Sequence, residues 1–195
     1  MGSSLDQAVK TLKGIPGYVQ AFDAVFPKEG ITGDNIVKAI ATYEREIVSN
    51  PAPFDAFQHG DKTAMSESAQ RGWDLFRGKA QCISCHNGPT FSDGRYHDIG
   101  IDDGDEGRFA VTGKDRDRFK FKTPTLRDVA LTAPYMHTGH DPDLMTVMKY
   151  YNKGGDRKGN ELKPLGLKDQ DLEDLVAFMH ALTGAPIVTT LPQLP

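Results

Sequence analysis

The 195-residue chain reads as a mostly α-helical protein with long irregular loops. Three observations predict this. Apolar residues recur at helical spacing in both flanks, the stretch from Ala80 to about Asp141 has almost no periodicity, and 20 Gly with 12 Pro demand many turns.

From Leu5 to Phe26 the apolar positions Leu5, Val9, Leu12, Tyr18, Phe22 and Phe26 are interrupted at Gly14-Ile15-Pro16-Gly17, which predicts two short helices joined by a turn. Thr32 is placed to cap a third helix, from about Gly33 to Val48, with Ile36, Ile40, Tyr43 and Ile47 on one face. Pro51 and Pro53 close it, and a linker is expected from Pro53 to about Ala64. Ser66 caps the next helix, whose inner side carries Ala69, Gly72, Trp73 and Phe76, up to Gly78. Another is expected over Pro142 to Asn152, stopped by Gly154-Gly155. The last covers Asp169 to Leu182, with Leu172, Leu175, Val176, Met179 and Leu182 as its stripe and acids in its first turn. An extended tail then runs to Pro195. An irregular stretch as long as Ala80–Asp141 needs something besides side-chain packing to organise it.

A net charge of −4 gives no electrostatic reason to bind nucleic acid or an anionic membrane, and no apolar run is long enough to span one. Two cysteines cannot build a disulfide scaffold. The opening Met1-Gly2-Ser3-Ser4 reads as an added leader running into the first helix, so any export signal would lie upstream.

Both cysteines fall in Cys82-Ile83-Ser84-Cys85-His86, a C-x-x-C-H motif. This spacing lets two thiols form thioethers to one haem and presents the adjacent His to the iron. A zinc site would need two further ligands, and His137 and His140 stand closer together than the usual spacing. A thioredoxin-like pair should follow a strand, whereas an amphipathic helix precedes this one. One covalent haem c is therefore expected, and its apolar body would organise the irregular centre. Such attachment takes place outside the cytoplasmic membrane, which predicts a periplasmic protein.

Around the motif the chain resembles the bacterial dihaem cytochrome c peroxidase and MauG family. The likeness is carried by Gly72-Trp73-Asp74-Leu75-Phe76, by Asn87–Asp93, by Gly107–Thr112 and, most specifically, by the run Phe121–Gly139 with its Pro134-Tyr135-Met136-His137-Thr138-Gly139. Ile15–Tyr18 and Ala39–Arg45 resemble the end of that family's N-terminal domain. The resemblance implies a helical segment over residues 1–60 and a class I cytochrome c-like haem domain over 61–195. Family members carry two C-x-x-C-H motifs, and this chain has one, matching the second. It reads as the C-terminal portion of a dihaem protein or as a single-haem relative.

The sixth iron ligand decides the chemistry. Tyr151 and Met148 lie on one helix face if this segment is helical, and from the residues alone either reads as packing. His137, Met136, His140 or an open position also stay in play. The resemblance implies Tyr151, as in MauG-type members, where the peroxidases have Met. A phenolate favours ferric iron and lowers the potential, whereas a thioether raises it.

The resemblance further implies Lys122 and Arg127 near the haem edge, with the Arg127 guanidinium suited to propionates. It implies His137 as a hydrogen-bonding residue close to the pocket. It also implies a partial calcium site from Thr132 and the Pro134 carbonyl, hard oxygens of the right kind. His97 reads as structural, and the acidic loop Asp102–Glu106 fails the EF-hand pattern. Lys114 to Lys122 is a mixed-sign surface strand. The expected function is haem c-dependent oxidoreduction, relaying or storing oxidising equivalents during peroxide-dependent oxidation. The alternative is a non-catalytic monohaem electron carrier. Expected partners are a first haem domain or second haem protein, a small redox donor or protein substrate, and, compatibly, a second copy of the chain.

Overall fold

The computed structural model describes residues 2–187 and 193–195. The Met1 end of the leader and residues 188–192 of the expected tail lie outside the described residues. The chain forms two units, Met1–Val48 with Pro186–Pro195, and Ser49–Ala185.

The first unit holds α1 (Leu5–Lys13), α2 (Pro16–Val25) and α3 (Gly33–Glu44). Ser4 Oγ accepts from the Gln7 amide and Thr32 Oγ1 from the Asn35 amide, while Pro16 opens α2 where no amide hydrogen is needed. Asn35 is fully buried, and its amide group donates to Glu29 Oε2 (3.2 Å) and the Gly30 carbonyl (3.0 Å) while Lys38 donates to its oxygen. The stripe expected to face inward on α3 does so only at Ile36. Ile40, Tyr43 and Ile47 are more than half exposed, and α3 ends at Glu44 rather than Val48.

The second unit contains α4 (Pro53–Gln58), α5 (Glu67–Arg77), α6 (Phe109–Thr112), α7 (Leu144–Lys153) and α8 (Asp169–Ala181). A two-stranded antiparallel ribbon joins β1 (Tyr96–His97) to β2 (Phe121–Lys122), with Tyr96 opposite Lys122 and His97 opposite Phe121. The segment expected as a linker is partly helical. Pro53 starts α4 instead of breaking the chain, Asp55 Oδ2 accepts from the Ala52 amide at 2.7 Å, and Phe54 is buried. Apart from the short ribbon, α6 and three single 3₁₀ turns, the centre is irregular as expected.

Helices α5 and α8 pack directly against each other. Their crossing is close because Gly72 has no side chain: a Cβ there would lie 1.9 Å from the Asp174 carbonyl oxygen. Asp174 is buried beside it, with Arg71 donating Nε and Nη2 at 2.8 Å each and Ser68 Oγ donating at 2.6 Å. The hydrogen bonds from Arg71 hold its carboxyl below the usual range against the opposing cost of burial. On α8 the stripe Leu172, Leu175, Met179 and Leu182 is buried, and Phe178, outside the expected stripe, is fully enclosed. Phe178 joins Phe54, Trp73, Phe76 and Phe91 in an aromatic cluster, with Phe54 5.0 Å from Trp73 and 5.2 Å from Phe91 between ring centroids. Cys82 of the C-x-x-C-H motif packs against the core that contains this cluster.

Candidate metal centre

Cys82–Ser84 forms a single 3₁₀ turn entered through Gln81, whose φ is 54°. The amide of His86 donates to the Cys82 carbonyl at 2.8 Å, folding the motif back on itself. Cys82 and Cys85 are both free and half-buried. Burial pushes the Cys82 thiol up to about 12, and burial likewise raises Cys85. Both shifts favour the neutral thiol over the thiolate.

The loop after the motif orients His86. Its Nδ1 lies 2.9 Å from the Phe91 carbonyl, so Nδ1 carries the proton and donates, and Nε2 is left with its lone pair. A metal-binding imidazole has this arrangement, because the outer hydrogen bond fixes both tautomer and ring orientation. Burial lowers the His86 pKa, keeping the ring neutral and able to ligate.

Across from the motif, α7 brings up two tyrosines that differ. Tyr150 is buried and donates its hydroxyl to the Ile99 carbonyl at 3.1 Å. The Tyr151 hydroxyl has no hydrogen-bond partner among the described residues, and it feels both thiols. Burial first, then Cys82, Cys85 and Tyr150, push its pKa well above the ordinary phenol value. Met148, one turn earlier, packs against the core cluster. The helix is fixed at one end by Asp143, which accepts from the Thr146 amide at 2.7 Å, and at the other by Gly154 with φ 88°.

The remaining expected site residues are placed as follows. Arg127 is engaged within the protein: Nη1 and Nη2 meet the Asp55 carboxylate at 2.6 and 2.7 Å, and Nε donates to the Pro89 carbonyl at 2.9 Å. The planar fork matches a carboxylate, and Asp55 supplies one from within the protein. His137 stacks on Phe121 with ring centroids 3.7 Å apart and pairs with Asp103 at 2.7 Å, so the acidic loop takes up the hydrogen bond expected at the pocket. Lys122 is exposed on β2, with no ion pair among the described residues. Thr132 is exposed and its hydroxyl donates to the Val129 carbonyl at 3.0 Å; Pro134 is exposed too. His140 contacts Thr138 and Asp141. Among the described residues no group of three or more His, Cys, Asp or Glu side chains is placed to hold a metal ion.

His97 is structural in a specific sense. It sits between Asp93 (2.9 Å) and Glu161 (2.6 Å), and Lys120 pairs with the same glutamate at 2.9 Å. Burial opposes ionisation of Asp93, but hydrogen bonds from His97, the Arg95 amide and Thr123 outweigh it and bring the carboxyl to about 2. This cluster ties the loop after the motif to the ribbon and to the segment after α7. Sequence reading missed the roles of Asp55 and Phe91. The one available signal for Asp55 was its position two residues after Pro53, in the first turn of a helix.

Helices α5, α7 and α8 around a C-x-x-C-H turn define a cytochrome c-type domain. The comparisons agree. A model for the cytochrome c family matches residues 69–183, and a model for di-haem cytochrome c peroxidase matches residues 1–63. The methylamine utilization protein MauG of Methylorubrum extorquens is 41% identical over 202 residues, covering 100% of this chain and 57% of that protein. Cytochrome-c peroxidase IdrP1 of Denitromonas iodatirespirans is 40% identical, covering 94% of this chain and 59% of that protein. The crystal structure of a MauG-like protein associated with microbial copper homeostasis superimposes with a TM-score of 0.78 at 28% identity, covering 93% of this chain and 63% of that one. The chain belongs to the cytochrome c family, and the relatives it resembles are MauG and dihaem cytochrome c peroxidases. It spans less than two thirds of the length of these relatives. Haem c is the cofactor of this family, and no described helix is long and apolar enough to cross a membrane.

Proposed function

We propose that this chain holds one haem c through Cys82, Cys85 and His86, with Tyr151 opposite His86, and that it relays or stores oxidising equivalents in a periplasmic, peroxide-dependent oxidation. The observation that carries the reading is the His86 geometry: an imidazole with its Nδ1 proton held by the Phe91 carbonyl, next to two unionised thiols on one turn. Bound haem would supply one-electron chemistry at its iron.

The protein's own contribution is orientation and burial. The Cys82–Ser84 turn sets the two attachment points, and the loop to Phe91 fixes the direction of His86 Nε2. Trp73, Phe76, Phe91 and Phe178 form the aromatic packing of the core against which Cys82 sits. A thioether carries no ionisable proton, so the push of the two thiols on Tyr151 would vanish on attachment. Bound ferric iron would favour the deprotonated Tyr151 oxygen against the remaining cost of burial, the larger cause of its raised pKa. The monohaem electron-carrier reading has Met148 as ligand, and its packing in the core supports Tyr151 instead.

Lys122 is retained at the haem edge and Thr132 with the Pro134 carbonyl at a shared calcium site, completed by a neighbouring domain. The partner we propose is a second haem-bearing domain corresponding to the relatives' unmatched length. Exposed Val25, Val37, Ile40 and Tyr43 on α2 and α3 support an apolar surface for it. The test is peroxide turnover with a reduced donor. The haem-loaded chain alone is expected to turn over at a small fraction of the rate of a complete dihaem relative, because with His86 and Tyr151 both holding the iron there would be no place for peroxide to bind. Turnover comparable to the relative's would contradict this and make the haem held here the site of peroxide cleavage.

A further inference from the structure

The loop Gly88–Phe91 presents three successive carbonyls, and each is engaged. Pro89 accepts from Arg127 Nε (2.9 Å), Thr90 from Thr125 Oγ1 (2.6 Å) and the Leu126 amide (3.3 Å), and Phe91 from His86 Nδ1 (2.9 Å). The segment Thr125–Arg127 thus grips the loop that orients the histidine. Arg127 is itself locked, since both its terminal nitrogens meet Asp55 and Asp55 Oδ2 also accepts from the Ala52 amide at 2.7 Å. Helix α4 acts on the loop twice, through Asp55 and through the Phe54 ring packed 5.2 Å from Phe91.

Phe91 needs this hold. Its φ is 55°, in the left-handed region that a bulky residue enters only at an energetic cost. Without restraint it would relax toward negative φ, and its carbonyl would turn away from His86.

We propose that Asp55 and Arg127 are positioning residues that fix the Phe91 carbonyl, and through it the orientation and donor strength of His86. The inference rests on His86 being an iron ligand. A firm hydrogen bond to Nδ1 makes the imidazole a stronger donor and favours ferric iron.

The test is the midpoint potential of the haem-loaded chain and its Arg127→Gln and Arg127→Lys variants, with intact mass confirming haem content. Charge and position act in opposite directions here. Removing a cation from the loop region around His86, by itself, would lower the potential, because ferric iron carries the higher charge. Loosening the Phe91–His86 hydrogen bond raises it. Arg127→Gln is expected to raise the potential by a tenfold shift in the redox equilibrium, about 59 mV for one electron. Arg127→Lys keeps the charge but loses the fork and is expected to give a smaller rise; if the glutamine variant does not fold, this one decides. A fall or no change in a haem-loaded variant overturns the positioning role and leaves the haem assignment standing. A wild-type chain carrying no haem overturns the assignment and this inference together.

Discussion

Gly72→Ala is expected to destabilise the second unit by about 2 kcal/mol. The added Cβ would sit 1.9 Å from the Asp174 carbonyl oxygen and 2.8 Å from Phe178 Cβ, neither of which is the end of a flexible side chain. Separating two packed helices costs about 3 kcal/mol, and the better helix propensity of alanine returns about 1 kcal/mol. The remainder corresponds to a factor of about 30 in the unfolding equilibrium. For a unit of this size it lowers Tm by about 7 °C. Gly33→Ala is the matching control at the start of α3. A Cβ there meets only the movable tip of Leu5, at 2.7 Å, so thermal unfolding should hardly change. Equal effects of the two substitutions would mean that the α5–α8 contact is looser than described.

Tyr151→Met is expected to raise the midpoint potential of the bound haem by at least about 59 mV, a tenfold change for a one-electron couple. A neutral sulfur no longer stabilises the higher charge on iron as a phenolate does. Tyr151→Phe removes the ligand and keeps the ring, so the ferric spectrum should change while stability is largely retained. Met148→Leu should leave the spectrum as it was, because Met148 packs against the core. The reverse pattern would move the ligand to Met148 and turn the protein into an electron relay. Two features separate Tyr151 from its neighbour: Tyr150 is tied to the Ile99 carbonyl, and Tyr151 alone of the two has a hydroxyl with no partner among the described residues.

Local signals in the sequence were readable because they act over a few residues. Thr32 and Ser66 cap the helices that follow them, and of the expected stripe Leu172, Leu175, Met179 and Leu182 are buried while Val176 is partly so. The C-x-x-C-H turn was legible for the same reason. What local spacing does not show is which distant partner a side chain meets. Arg127 offers a guanidinium to whichever carboxylate arrives, and Asp55, 72 residues away in sequence, is the one that does. His137 goes to Asp103 by the same logic. Pro53 was read as a breaker although proline also opens helices, which hid α4 and with it Asp55. On α3, periodicity fixed a face but could not say what covers it, and Ile40 and Tyr43 are exposed.

The most direct test is the intact mass, under denaturing conditions, of the chain matured with cytochrome c assembly machinery, together with its Cys82→Ala, Cys85→Ala double variant. Covalent attachment through this one turn predicts the chain mass plus a single haem for the parent protein and the bare chain mass for the variant. A parent protein that carries no haem after such maturation, or a double variant that still carries one, would contradict the account.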